Sequence, residues 1–299
     1  MAQHFPHVAL VIEGGGTRNS YTAAVLDKFL AEGISFGWVG GISAGSSHTV
    51  NFLSGSRKSV REAFVEVPAA REAGGWGSFL RGRGYFNAEY IYETSTAVGQ
   101  PFAVDFDAIV ANPTPFRIGA VRADTGEMVY WGREDLTDLA DFTRRVRASS
   151  TMPLIMPMPL IDGVRYVDGA LGPTGGIPID AAKKDGFTTF LVLLSRPREY
   201  TKPPTSRPAV VRQLFRQYPA VAEAVIRRPD RYNRTREELL TLEKSGSAYV
   251  FFPENLTVGN RERNLARLQA SFAAGQAQME GDWPNIMGFL EATNTTLPG

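Results

Sequence analysis

The sequence predicts a three-layer α/β/α fold on a mainly parallel central sheet, with a mostly helical region appended toward its C-terminal end. Three observations carry this. The apolar run 8–12 stops at Gly14, Gly15 and Gly16, and a helical stripe follows. A second apolar run, 36–40, stops at another glycine turn and is again followed by a stretch that can continue as helix. Further on, the short run 188–194 has the composition of one more central strand. Strand, glycine turn and helix in succession imply parallel strands joined by crossover helices. Both turns then lie at the carboxyl ends of strands, where open α/β sheets gather their sites.

Each element follows from its local pattern. Over 17–31, Tyr21, Ala24, Val25, Phe29 and Leu30 share one helical face, and Gly33 is the stop. Residues 57–67 read as a helix ended by Pro68, and 73–84, rich in Gly, Trp and Arg, as a surface loop. A helix is expected over 87–98 behind the N-cap-like Asn87. The runs 116–121 and 127–131, either side of Asp124-Thr125-Gly126, predict a hairpin. A helix at 136–148 precedes a short strand, 164–167, that stops at Asp168 and Gly169. The stretch 200–205, with Pro203 and Pro204, is the best boundary, giving a catalytic domain over 6–198 and a mostly helical region over 206–299 packed on it. In that region helices are expected at 210–228, 231–244 and 261–278, and a strand at 248–252.

Composition narrows the function classes. With 299 residues, 43% hydrophobic and 21% charged, the chain has material for a substantial core. The net charge of +1 gives no reason to expect nucleic acid as a partner. The absence of cysteine removes disulfides, thiolate metal sites and a cysteine nucleophile together. The first apolar run is too short for a secretory core, and the longest, 152–161, is broken by Pro153, Pro157 and Pro159. The expectation is a cytoplasmic protein whose membrane contact, if any, is peripheral at the inner face.

The chemistry centres on Gly41-Ile42-Ser43-Ala44-Gly45. Small residues flanking a serine between strand and helix let the backbone double back and expose the hydroxyl as a nucleophile. The helix N-terminus beyond Ser43 would favour an alkoxide there. A histidine base is missing. His4 and His7 precede the first strand, and His48 lies about 140° further round the helix from Ser43. Asp168, ending a strand and followed by Gly169, is the available carboxylate, although Asp-Gly is also simply a good turn. A carboxylate is a weak base toward a hydroxyl, so it needs a dry site and strong oxyanion stabilisation.

The loop Gly14-Gly15-Gly16-Thr17-Arg18 can supply that stabilisation, with the Gly15 and Gly16 N–H groups as donors. One such donor is typically worth ~3 kcal/mol of barrier. A dinucleotide loop is the rival reading. It lacks its third glycine, because residue 19 is Asn, and its ribose-binding acid after the second strand. Arg18 opposes the dipole of its own helix. It reads as an ion-paired anchor of the loop, or as a contact to an anionic headgroup.

The Gly-Gly-Gly-x-Arg loop, the G-x-S-x-G elbow about 27 residues later and the distal Asp168-Gly169-Ala170 together resemble the patatin-like phospholipases. The likeness spans roughly 8–194, and the segment 147–153 with the helical C-terminal region resembles a bacterial intracellular branch. The resemblance implies a patatin-like fold and a lipid acyl hydrolase with Ser43 as nucleophile and Asp168 as general base. The backbone of Gly14, Gly15, Gly16 and Thr17 would form the oxyanion hole, with Arg18, Gly41, Gly45 and Gly169 supporting the motifs. It implies lipid or fatty-acyl ester substrates and no cofactor or metal. Asn19 departs from the glycine usual in the family, and Asn tolerates left-handed backbone better than other side chains. The alternative is a catalytically silent lipid-binding or regulatory protein that keeps the fold.

Residues 196–236 hold eleven Lys/Arg against three Asp/Glu, a net +8, while the rest of the chain has 21 against 28. This segment is either a solvated surface whose apolar face packs inward or a patch that meets an anionic membrane. The run 152–161 is either core or the lining of an acyl pocket.

Overall fold

The computed structural model describes residues 2–75 and 86–295. Most of the surface loop expected at 73–84 lies outside them. The strands are β1 (Gln3–Ile12), β2 (Ile34–Ile42), β3 (Phe116–Arg122), β4 (Met128–Trp131), β5 (Leu160–Ile161), β6 (Val164–Asp168), β7 (Thr189–Leu193) and β8 (Ala248–Phe251). The helices are α1 (Asn19–Ala31), α2 (Ala44–Leu53), α3 (Arg57–Glu62), α4 (Glu66–Ala69), α5 (Phe106–Ala111), α6 (Leu139–Ser149), α7 (Ile179–Lys184), α8 (Pro208–Leu214), α9 (Pro219–Lys244) and α10 (Leu265–Thr295).

The hydrogen-bonded path through the sheet is β5-β6-β3-β2-β1-β7-β8, with β4 also on β3. The β3-β2-β1-β7-β8 portion is parallel throughout. Strand β1 shows why such strands read as unbroken apolar runs. Val8, Leu10 and Ile12 face a core shared with α1, α2 and α10, while Ala9 and Val11 face one shared with α7 and α9. Both faces are covered by helices, so polar alternation has no place.

One junction in the sheet positions the site. Ile42 of β2 pairs with Gly119 of β3, and Asp168 of β6 pairs with Ala120, the next residue. Strand β4 pairs with 118–121 and shares residues with both neighbours, so it occupies the other edge of β3. Strands β2 and β6 therefore meet end to end along one edge, β6 running antiparallel. Each ends facing the other.

Several helices differ from their sequence pattern for identifiable reasons. The expected 57–67 helix breaks at 63–65, and Pro68 lies inside α4 rather than ending it. The first turn of a helix needs no N–H donor from its residues, so proline fits there. The 87–98 segment contains a short π-helical turn, Tyr90–Thr94, behind Asn87, whose side chain accepts from the Tyr90 N–H at 3.3 Å. The two helices expected at 210–228 and 231–244 are divided elsewhere. The break falls before Pro219, and α9 runs on through Pro229. Proline there leaves the Val225 carbonyl without its usual donor. The Thr205 hydroxyl, from the connecting stretch, donates to that carbonyl at 3.1 Å and takes the place of the missing N–H.

The C-terminal region is joined to the same sheet through β8, which pairs with β7. Helix α10 is longer than its pattern suggests and packs along α1. There the Ser20 hydroxyl donates to Ser271 at 2.8 Å and the Tyr21 hydroxyl to Gln278 at 2.7 Å. No helix among the described residues is long and apolar enough to cross a membrane.

Candidate active site

Ser43 occupies the turn between β2 and α2 with φ 58° and ψ −125°, a strained backbone for a residue with a side chain. Such conformations cost about 1–3 kcal/mol and persist only when the surroundings over-determine them. Here the surroundings do. A Cβ on Gly41 would overlap the Gly45 carbonyl, and a Cβ on Gly45 would overlap the Ile12 carbonyl at the end of β1. The glycines of the elbow are thus steric necessities, which is why its signature is legible in sequence.

The head-to-head ends of β2 and β6 bring Ser43 and Asp168 together. The Ser43 hydroxyl donates to Asp168 Oδ2 at 2.8 Å. The other oxygen, Oδ1, accepts from the Ala170 N–H at 2.8 Å, which fixes the carboxylate's orientation. Burial pushes the Asp168 carboxyl above its ordinary value, countered by the positive charge of Arg228 and by the hydrogen bonds from Ala170 and Ser43. Gly169 must be glycine, because a Cβ there would overlap the Gly119 carbonyl.

A second support is the segment after α6, singled out from sequence only as a family likeness. The fully buried Ser149 hydroxyl accepts from the Ser43 N–H at 2.9 Å and donates to the Gly119 carbonyl at 2.6 Å. Two residues on, the Thr151 carbonyl accepts from the Asp168 N–H at 2.8 Å. One short segment therefore holds the backbone of both partners. Sequence offered a signal only in the hydroxyl-rich run Ser149-Ser150-Thr151 at a helix end.

The glycine loop divides its donors. The Gly14 N–H is committed to the Gly176 carbonyl at 3.1 Å, and the Thr17 N–H faces the Asn260 carbonyl at 3.4 Å. The Gly15 and Gly16 N–H groups have no acceptor among the described residues. Gly16 adopts φ +58°, and a Cβ on it would overlap the Asn260 carbonyl. Asn260 was not singled out from sequence. Its loop closes over the glycines from the C-terminal region, with the Thr17 hydroxyl donating to the Gly259 carbonyl at 3.0 Å.

Arg18 anchors the loop by hydrogen bonds rather than by the ion pair expected. Its Nε donates to the Ser195 carbonyl at 3.1 Å, and Nη2 approaches the Ser195 hydroxyl at 3.4 Å. Burial lowers this guanidinium to about 10, against the pull of Glu13. Asn19 is right-handed, with φ −69°, so the position requires no glycine-like backbone. Its amide donates to the Glu13 carbonyl at 3.0 Å.

The histidines stand apart from Ser43. His4 bonds Ser35, and His48 is turned toward α1, where Nε2 meets Thr22 at 3.0 Å and the Asn19 carbonyl at 3.1 Å. Burial pushes His48 down to about 3 and keeps it neutral. On the open side of Ser43 is an apolar cavity of ≈ 120 Å³, lined by Val50, Phe64, Phe102, Val146, Met152 and Met156 among others. The proline-broken run thus splits: Met152 and Met156 line the cavity, while Ile161 belongs to the core.

Comparison with known proteins bears on the family of the chain. The family model for patatin-like phospholipase matches residues 10–183, more than half of the chain, and a domain of unknown function, DUF6363, matches 218–291. The uncharacterized protein YjjU of Escherichia coli K12 is 29% identical over 195 residues, 64% of this chain and 53% of that protein. The chain thus matches about half the length of that relative. The crystal structure of VipD from Legionella pneumophila superimposes with a TM-score of 0.48 at 9% identity, covering 96% of this chain and 67% of that one. By the extent of the family match, the chain belongs to the patatin-like phospholipases.

Proposed function

We propose that the chain hydrolyses lipid acyl esters with a Ser43–Asp168 dyad. The observation that carries the reading is the 2.8 Å hydrogen bond from a strained, half-buried serine to a buried carboxylate beside an apolar cavity. Asp168 Oδ2 takes the proton as Ser43 Oγ attacks the ester carbonyl. The carbonyl oxygen becomes an oxyanion held by the Gly15 and Gly16 N–H groups, which are free to donate. Collapse expels the alcohol, protonated by Asp168, and leaves an acyl-serine. Water, deprotonated by Asp168, attacks that ester and releases the fatty acid, returning the proton to Ser43. The apolar cavity would take the acyl chain. The raised Asp168 supports the base role, since a carboxylate nearer neutrality is a stronger base.

A membrane surface is the partner that the outer part of the basic segment suits. Helix α8 exposes Val210 and Leu214, 50% and 57% accessible, with Arg207 and Arg216 exposed nearby. Apolar side chains rimmed by cations suit an anionic bilayer face.

Labelling with a fluorophosphonate tests the chemistry. The expected result is modification at Ser43, lost in Ser43→Ala and sharply reduced in Asp168→Asn. Absence of labelling together with no hydrolysis of p-nitrophenyl esters would leave a silent lipid-binding protein. Sedimentation with anionic vesicles tests the surface: binding should weaken with salt and in Leu214→Asp.

A further inference from the structure

The inner part of the basic segment contains cations that form no ion pair among the described residues. Arg196, just beyond β7, stacks its guanidinium on the Tyr200 ring at 4.3 Å, and its buried Nε has no acceptor. Lys202 Nζ lies over the rings of Tyr200 and Tyr232, at 5.6 and 4.5 Å. Arg228 on α9 has one long hydrogen bond, Nε to the Gly175 carbonyl at 3.5 Å. None of the three is in an ion pair among the described residues, whereas Arg198 and Arg212 on the same segment are paired with Glu243 and Glu223.

The acid that faces them is Glu13. It is 2% exposed and already accepts from the Ser195 N–H at 2.5 Å. Arg18, also close, is spent on Ser195. Glu13 acts on Arg18 and Lys202, and both of these also feel the charges of Arg196 and Arg228. Burial, with Arg228, Arg18 and Arg196 outweighing Glu13, drives the Lys202 ammonium down to about 7. All three unpaired side chains are half-buried rather than sealed, so solvent reaches them.

From these contacts we infer that Arg196, Lys202 and Arg228 form a phosphoryl-binding site bordering the dyad. A dianion suits this surplus of positive charge better than a carboxylate does. Two guanidinium groups and an ammonium match the several acceptor oxygens of a phosphoryl group. The site adjoins the chemistry from two directions. The positive charge of Arg228 is felt by Asp168, and Gly175, which anchors Arg228, precedes the Gly176 carbonyl that holds the Gly14 N–H. The phosphoryl group belongs either to the headgroup of an ester substrate, a reading that rests on the hydrolase proposal, or to free phosphate acting as an effector.

Binding is measured first, on the whole 299-residue chain carrying Ser43→Ala, by calorimetric titration with inorganic phosphate at low salt in two buffers of different ionisation enthalpy. This arm is independent of hydrolysis. Saturable binding is expected, weakened about tenfold or more in Arg196→Gln, Lys202→Met and Arg228→Gln and largely kept in Lys202→Arg. Proton uptake on binding near pH 7.5, lost in Lys202→Met, would mark the recharging of that ammonium. No detectable binding, or binding indifferent to all three substitutions in folded variants, overturns the site. In active protein, the kcat/KM ratio of a lysophosphatidate to a monoacylglycerol distinguishes the sources. A ratio falling about tenfold in Lys202→Met assigns the site to the headgroup. A constant ratio, with rates that respond to added phosphate only in the unsubstituted protein, assigns it to the effector. A constant ratio and rates that ignore phosphate overturn its connection to the reaction.

Discussion

Replacing Ser149 by alanine tests how the elbow is held. Its hydroxyl is fully buried and makes two hydrogen bonds, from the Ser43 N–H at 2.9 Å and to the Gly119 carbonyl at 2.6 Å. Each bond contributes a net ~1 kcal/mol, and each buried partner left unpaired costs about 1–3 kcal/mol. Removal of one side chain orphans both a donor and an acceptor, so the expected loss is about 2–6 kcal/mol. The variant keeps its volume nearly unchanged, so a cavity contributes little. The Ser43 N–H is also part of what enforces the φ of 58°, and a nucleophile displaced by about 1 Å loses on the order of 10²-fold in rate. Urea unfolding gives the stability change from the midpoint at constant slope. Hydrolysis of a water-soluble ester gives kcat separately from KM. A stability loss below about 0.5 kcal/mol with unchanged kcat would refute the reasoning, since surface substitutions already reach that size.

Three further outcomes are expected. Asp168→Asn should lower kcat by on the order of 10³–10⁴-fold while leaving the protein at least as stable as the parent at pH 7. Burial raises Asp168 in the folded chain, so its contribution is most favourable below the unfolded carboxylate value near 3.8 and is lost as pH rises through the folded value. Denaturation of both proteins from pH 3 to 7 checks this, and a variant that loses ground as pH rises would contradict it. Arg228→Gln removes the charge that opposes this rise, so the acidic limb of the kcat/KM profile should move to higher pH. An unmoved limb would mean Arg228 does not act on the base. Thr205→Ala should cost about 1 kcal/mol by freeing the Val225 carbonyl opposite Pro229, measured by urea midpoint, and Pro229→Ala should relieve most of that cost.

The parts of the fold legible in sequence are those where sterics leave one solution. Gly41, Gly45 and Gly169 occupy points where a Cβ would strike a carbonyl, so the motif records the geometry. The apolar runs of β1 and β7 record burial on both faces. Asp168 was reachable by elimination, because no histidine could serve Ser43. Ser149 and Asn260 were not legible in the same way. A buried hydroxyl and a backbone carbonyl leave no periodicity, and their value comes from partners more than a hundred residues away. Helix ends failed where a tertiary donor overrode a local rule, as at Pro229. The basic segment was visible as composition, but its division into an inward cluster and an outward helix depends on how α9 is oriented.

The meeting of β2 and β6 on one edge of β3 also bears on synthesis. Ser43 and Asp168 are 125 residues apart in the chain. At about 5–20 residues per second, a ribosome takes on the order of ten seconds to travel between them. During that interval the elbow can form on β1 and β2, yet its hydroxyl has no Asp168 to donate to. The Asn260 loop that covers the glycines emerges later still. Under the proposed mechanism, acyl hydrolysis is thereby deferred until β6 has joined the sheet.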